Sequence, residues 1–157
     1  RRGIKLKLSI VGLTESERAE VTKSFQMAGF EDALTTYGVI PHKDAVEIMG
    51  RADFGFTFLR PERHFFFNPP TKLFEYLANG IPVICNDIRT LTHYVKDGET
   101  AIISELSAEG IYRGIASAGQ MLDDLPRMRA ACRAEGEKYL WKRVEPSFLK
   151  VIDGLFQ

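Results

Sequence analysis

Thr71, Lys72 and Glu75 bring a hydroxyl, an ammonium and a carboxylate within one helical turn of each other. In a capping box the Glu follows a Ser or Thr cap by three residues, but Thr71 lies four before Glu75, so capping does not account for this carboxylate. Two readings stand. In one, Glu75 is an exposed partner of Lys72, an interaction worth a few tenths of a kcal/mol. In the other it is a ligand carboxylate near the open N-terminal end of a helix, where free backbone N–H groups favour phosphate. Upstream, Arg60 and Arg63 lie in the loop Arg60-Pro-Glu-Arg-His-Phe-Phe-Phe-Asn68. They are either solvated loop arginines or cations that neutralise a phosphate. Three consecutive phenylalanines, Phe65 to Phe67, either pack beneath a sheet edge or meet a partner surface. The lone His42 fits local hydrogen bonding better than catalysis, and His64 shares the two readings of the loop arginines. Gly12-Leu-Thr-Glu15 lacks a second glycine and a following Lys-Ser, which excludes both a dinucleotide fingerprint and a P-loop and leaves a plain strand-to-helix turn.

The elements that must position these residues follow from periodicity. Asn68 as cap, Pro69 at the first helical position and Asn79-Gly80 followed by Pro82 bound a helix over about Pro69 to Asn79. Its Leu73, Phe74, Leu77 and Ala78 share one face, leaving Lys72, Glu75 and Asn79 as a polar stripe. Pro82 to Cys85 is an unalternated apolar run, the pattern of a strand covered on both faces. Further strands are expected at Ile4–Val11, Ala33–Val39, Asp53–Leu59 and, near an edge, Thr100–Ile103. Helices are expected at Glu15–Met27, Pro41–Gly50, Ile88–Val95, Ser107–Leu122, Leu125–Tyr139 and Pro146–Phe156. Phe148, Val151, Ile152 and Leu155 form the apolar face of the last helix. Strands alternating with helices predict an α/β fold, a Rossmann-like doubly wound parallel sheet in a single domain over residues 1–157. The loop from Arg60 then leaves the C-terminal end of a parallel strand, where open α/β sheets place their ligands.

A chain of 157 residues with 45% hydrophobic content supports a substantial core. Twenty-one basic residues balance 21 acidic ones, so the electrostatic footprint of a nucleic-acid or anionic-bilayer partner is missing. Cys85 and Cys132 have neither paired nor metal-like spacing and read as buried free thiols of a reducing compartment. No apolar run approaches a membrane span, and Arg1-Arg-Gly-Ile-Lys5 lacks the apolar core of a signal peptide. The expected location is cytoplasmic.

Pro70-Thr-Lys-Leu-Phe-Glu-Tyr-Leu-Ala-Asn-Gly-Ile-Pro-Val-Ile84 resembles the donor-binding signature of the group 1 (family 4) glycosyltransferases of GT-B fold, Pro-x-Lys-x-x-Glu-x-x-Ala-x-Gly-x-Pro-Val. The likeness extends over nearly the whole chain. Leu8-Ser-Ile-Val-Gly12, Thr36-Tyr-Gly-Val-Ile40, Met49-Gly-Arg-Ala-Asp53, Val95-Lys-Asp-Gly-Glu-Thr-Ala-Ile102 and Tyr139-Leu-Trp141 resemble family landmarks in the same order. The resemblance implies the C-terminal, donor-binding half of an enzyme that transfers a sugar, hexosyl by type and with retention, from a UDP- or GDP-sugar in glycan or polysaccharide biosynthesis, with no cofactor and no metal. It implies that Glu75 binds the ribose hydroxyls and that Thr71 and Lys72 face the diphosphate. Phe67 and Asn68 would lie on the sugar side of the loop, Arg60 and Arg63 near phosphate, and Val39, Ile40 and Pro41 against the base. The family often carries an acidic residue at the position of Phe67, and here Glu62 is the substitute carboxylate. The family's diphosphate-neutralising Arg and Lys are expected upstream of Arg1, together with an N-terminal acceptor domain that is the remaining partner and the route for any peripheral membrane association. The fragment alone is expected to be inactive. The family's terminal helices reach toward that other domain, so the apolar face of the last helix is expected to be less covered. Two other readings remain, a non-catalytic α/β binding or interaction domain and a nucleotide-sugar epimerase half.

Overall fold

The computed structural model describes residues 5–155. The chain divides after Arg51 into two compact units. In the first, β1 (Leu8–Ile10) and β2 (Leu34–Thr36) pair in parallel with Leu8 opposite Leu34. Helices α1 (Glu15–Met27) and α2 (His42–Gly50) follow the two strands. The turn between β1 and α1 bends at Gly12, whose φ of 88° is a left-handed conformation open to glycine. It is stitched to the chain beyond β2 by Gly12 N–H on the Gly38 carbonyl at 3.1 Å. Thr14 caps α1, its hydroxyl accepting from Glu17 N–H while the Glu17 carboxylate accepts from Thr14 N–H at 2.8 Å. This is the plain strand-to-helix turn that the missing phosphate-loop residues predict.

In the second unit, β3 (Gly55–Thr57), β4 (Val83–Asn86) and β5 (Ala101–Ser104) form a parallel ladder in that order. All four residues of β4 are buried, which is why its sequence does not alternate: it is covered on both faces. Val83 and Cys85 point into a core with Leu59, Leu73, Leu77, Leu91 and Cys132. Ile84 and Ile102 point the other way, toward Ala118 and Met128. Helix α3 (Thr71–Ala78) lies on the first face beside α6 (Leu125–Glu137), and α5 (Ala108–Gln120) covers the second; α4 (Arg89–Thr92) and α7 (Trp141–Leu155) complete the unit. The parallel strands and covering helices are the expected α/β, Rossmann-like fold class.

Most elements are shorter than expected: β1, β2 and β3 run three residues each, and α4 stops at Thr92 rather than Val95. The expected ends at Ile4 and Phe156 lie outside the described residues. The boundaries of α3, α6 and α7 also move. Helix α3 starts at Thr71 with Pro70 as its cap, not at Pro69 capped by Asn68. A residue before proline is driven out of the helical region, so Pro70 holds Pro69 extended and delays the first turn. Helix α6 ends at Glu137, two residues short of the expected Tyr139. Helix α7 begins at Trp141 and carries Pro146 inside it. The apolar period runs from Trp141 through Val144 to Phe148, and the helix continues through a proline that withholds one N–H from the carbonyl four residues back. The outer residues of its apolar face are exposed, Phe148 at 49%, Val151 at 64% and Leu155 at 72%.

Candidate functional site

Helix α3 is fixed at its far end and open at its near end. Gly80, at φ +70°, ends it. Its N–H donates to the Leu77 carbonyl at 2.9 Å while Ile81 N–H reaches back to the Tyr76 carbonyl at 2.9 Å, a Schellman stop that occupies the last carbonyls. Leu73 and Leu77 are fully buried and contribute roughly 1.5–3 kcal/mol each. Gly136 of α6 lies so close that a Cβ there would stand 2.5 Å from the Ala78 nitrogen. At the opening, Pro70 makes no side-chain cap bond. Leu73 N–H turns back to the Pro70 carbonyl at 3.0 Å, and the Thr71 and Lys72 amides have no side chain at the cap position to accept from them. The positive end of the helix dipole therefore faces outward with its side chains exposed at Thr71 and Lys72.

Glu75 is half-buried one turn into α3, neither sealed in the core nor fully in solvent. Next to it, Tyr76 packs its ring over Gly55, where a Cβ would meet the ring at 2.7 Å. Burial is the main cause that raises the Tyr76 phenol above its usual range, with the Glu75 charge a lesser one in the same direction.

The loop leading into α3 carries the other candidates. Arg60, Arg63 and Asn68 are exposed, and among the described residues no carboxylate forms an ion pair with either arginine. Glu62, the residue expected to stand in for the family's acidic residue, lies 3.7 Å from His64 Nδ1. The three phenylalanines divide: Phe65 packs on the core, whereas Phe66 is 42% and Phe67 86% exposed. Thus Thr71, Lys72 and Glu75 share α3, and Arg60, Arg63, Phe67 and Asn68 share the loop before it. Val39, Ile40 and Pro41 belong to the first unit; Val39 is 84% exposed and Pro41 is the cap residue of α2. Among the described residues no three His, Cys, Asp or Glu side chains gather to hold a metal, and no helix is long and apolar enough to cross a membrane.

Two residues of this region escape a reading by motif. Asn86 is buried at the end of β4 and Thr90 is buried in α4, and both bond to the loop backbone. The one signal for Asn86 was a carboxamide directly after the apolar run Val83-Ile84-Cys85.

The fold is that of several solved glycosyltransferase structures. The pneumococcal O-GlcNAc transferase GtfA, in complex with UDP and GlcNAc, superposes with a TM-score of 0.76 at 19% identity over 97% of this chain and 30% of that one. A glycosyltransferase from Rickettsia africae gives 0.78 at 13% identity over 99% of this chain and 41% of that one. The sucrose-phosphate synthase of Thermosynechococcus elongatus gives 0.75 at 19% identity over 96% and 38%. The chain thus spans well under half the length of these structures. No curated protein matches it. The sequence model of glycosyl transferases group 1 matches residues 1–138, and the chain belongs to that family.

Proposed function

We propose that residues 1–157 form the donor-binding half of a retaining hexosyltransferase that uses a UDP- or GDP-sugar, acts in the cytoplasm and needs a second α/β domain for its acceptor. The observation that carries this reading is the start of α3, whose proline cap supplies no side-chain acceptor, with half-buried Glu75 one turn further on. When the bond between the sugar and the diphosphate breaks, negative charge grows on the leaving diphosphate. Outward amides at a helix start and nearby cations stabilise that charge without reorganising. Lys72 and Thr71 supply an ammonium and a hydroxyl there, and Arg60 and Arg63 supply guanidinium groups from the loop. Glu75, accepting from ribose hydroxyls, holds the nucleotide in register with that mouth. Val39, Ile40 and Pro41 are assigned to the base, Phe67 and Asn68 to the sugar. The UDP in the GtfA structure supports uridine as the first nucleotide to try.

Titration calorimetry with UDP, GDP and ADP tests the assignment. One nucleotide is expected to bind, and Glu75→Gln is expected to weaken it about tenfold or more, the loss of charge-assisted hydrogen bonds. Equal affinity of the two chains rejects the role of Glu75. The exposed Phe66 and Phe67 favour a second reading, a non-catalytic interaction domain, and absence of any Glu75-dependent nucleotide affinity selects it.

A further inference from the structure

The loop from Arg60 to Pro70 is held by two buried side chains, one from the end of β4 and one from α4. Asn86 is 6% exposed. Its carboxamide oxygen accepts from Leu59 N–H at 2.8 Å and its amide donates to the Leu59 carbonyl at 2.9 Å. Backbone pairing of β3 with β4 ends at Thr57 opposite Cys85, so the side chain of Asn86 reproduces the missing ladder bonds two residues further on. Thr90 is 5% exposed and donates its hydroxyl to the Phe65 carbonyl. Phe65 lies in the single turn Arg63–Phe66 and packs on the core.

Arg60 to His64 are thus suspended between two anchors. Beyond the second, Phe67 and Asn68 lead into the stiff Pro69-Pro70 pair and the first turn of α3. Hydrophobic burial alone does not require an amide at position 86, since an aliphatic residue would fill β4 equally well. What the amide adds is a fixed departure of the chain from β3, satisfying both polar groups of Leu59. A loop held in advance spares a ligand the cost of ordering it, and buried bonds behind a site are what set its precision.

We infer that Asn86 and Thr90 are positioning residues of the nucleotide diphosphate site. They fix the loop that carries Arg60 and Arg63 and the entry into α3, and they act through Leu59 and Phe65 without touching the ligand. This rests on the donor-site reading above, and the test separates the two.

UDP is titrated into the chain and its Thr90→Val, Thr90→Ser, Asn86→Leu and Glu75→Gln variants, with thermal melts and hydrogen exchange of residues 60–70 in parallel. Thr90→Val is expected to weaken UDP about tenfold and to speed exchange in the loop, while Thr90→Ser, which keeps the hydroxyl, restores both. Asn86→Leu is expected to behave as Thr90→Val; if it does not fold, the Thr90 pair decides. Wild-type affinity in the folded Thr90→Val chain, with Glu75→Gln still weakened, overturns the inference and leaves the donor site standing. Loss of affinity only in proportion to the unfolded fraction overturns it too. No UDP affinity, or none that depends on Glu75, overturns both.

Discussion

At the scale of single residues, the two cysteines show how burial sets reactivity. Cys85 and Cys132 are both buried, and burial pushes each thiol up to about 12 from an ordinary value of 9.0. Asp97 and Asp87 add to the rise at Cys85, whereas Arg129 and Arg133 oppose it at Cys132. The folded state therefore keeps both protons where the unfolded chain releases them. Stability from this source is complete below about pH 9 and is lost as pH climbs toward 12. Thermal melts between pH 7 and 11 are expected to show the midpoint falling above pH 9, with Cys85→Ala and Cys132→Ala flattening the fall. A thiol reagent at pH 8 is expected to label neither cysteine until denaturant is added, because the thiolate is the reacting form. Rapid labelling of the native chain would contradict the burial.

At the scale of elements, the approach of α6 to α3 depends on a glycine. Any Cβ at Gly136 meets backbone, 2.5 Å from the Ala78 nitrogen and 2.6 Å from the Leu77 carbonyl carbon, and backbone cannot rotate aside. Gly136→Ala is expected to cost about 1–3 kcal/mol in denaturant unfolding. Gly154, in the last turn of α7, has open space around its Cβ position, so Gly154→Ala is expected to stabilise by up to about 0.5 kcal/mol, less than alanine does in an exposed helix interior. The opposite signs of two Gly→Ala changes in helices check the packing against propensity alone.

The same elements show what periodicity reveals and what it hides. The span of α1 and the Asn79-Gly80 stop of α3 were legible because they rest on local chemistry: a strand-to-helix turn before the one, and a turn asparagine with a left-handed glycine after the other. The buried β4 was legible because a strand covered twice has no reason to alternate. The start of α3 was misplaced because a Pro-Pro pair has two conflicting local meanings, first helical position and helix blocker, and the second proline decided. The start of α7 was misplaced for the converse reason, since Pro146 suggested a beginning where apolar packing carried the helix through. Thr71, Lys72 and Glu75 were found by motif, whereas Asn86, Thr90 and Gly136 act through partners 27, 25 and about 58 residues away in sequence, contacts that no local pattern encodes.

For the whole molecule, the share of the matched structures that this chain covers, 30% to 41% in the three compared, bears on what it does unaided. Nucleotide binding and turnover are expected to separate: the chain of residues 1–157 retains Glu75-dependent UDP affinity and transfers no sugar from UDP- or GDP-hexoses in a radiolabel assay. Product formation above the blank by this chain would refute the need for a second domain. The balance of 21 basic and 21 acidic residues also predicts that the chain passes a heparin column at about 0.1 M salt, where a nucleic-acid binder would be retained.

Helix α7 has no buried residue, and the single tryptophan of the chain, Trp141, sits at its first position, 58% exposed. An element that keeps about half of its apolar surface wet when folded adds less than its length suggests to the denaturant slope and to the heat-capacity increment, so both quantities should match a shorter polymer than 157 residues. Indole emission, the usual optical signal of melting, would then report on a segment with no fully buried residue, and tyrosine or far-ultraviolet dichroism becomes the sounder gauge of cooperative collapse.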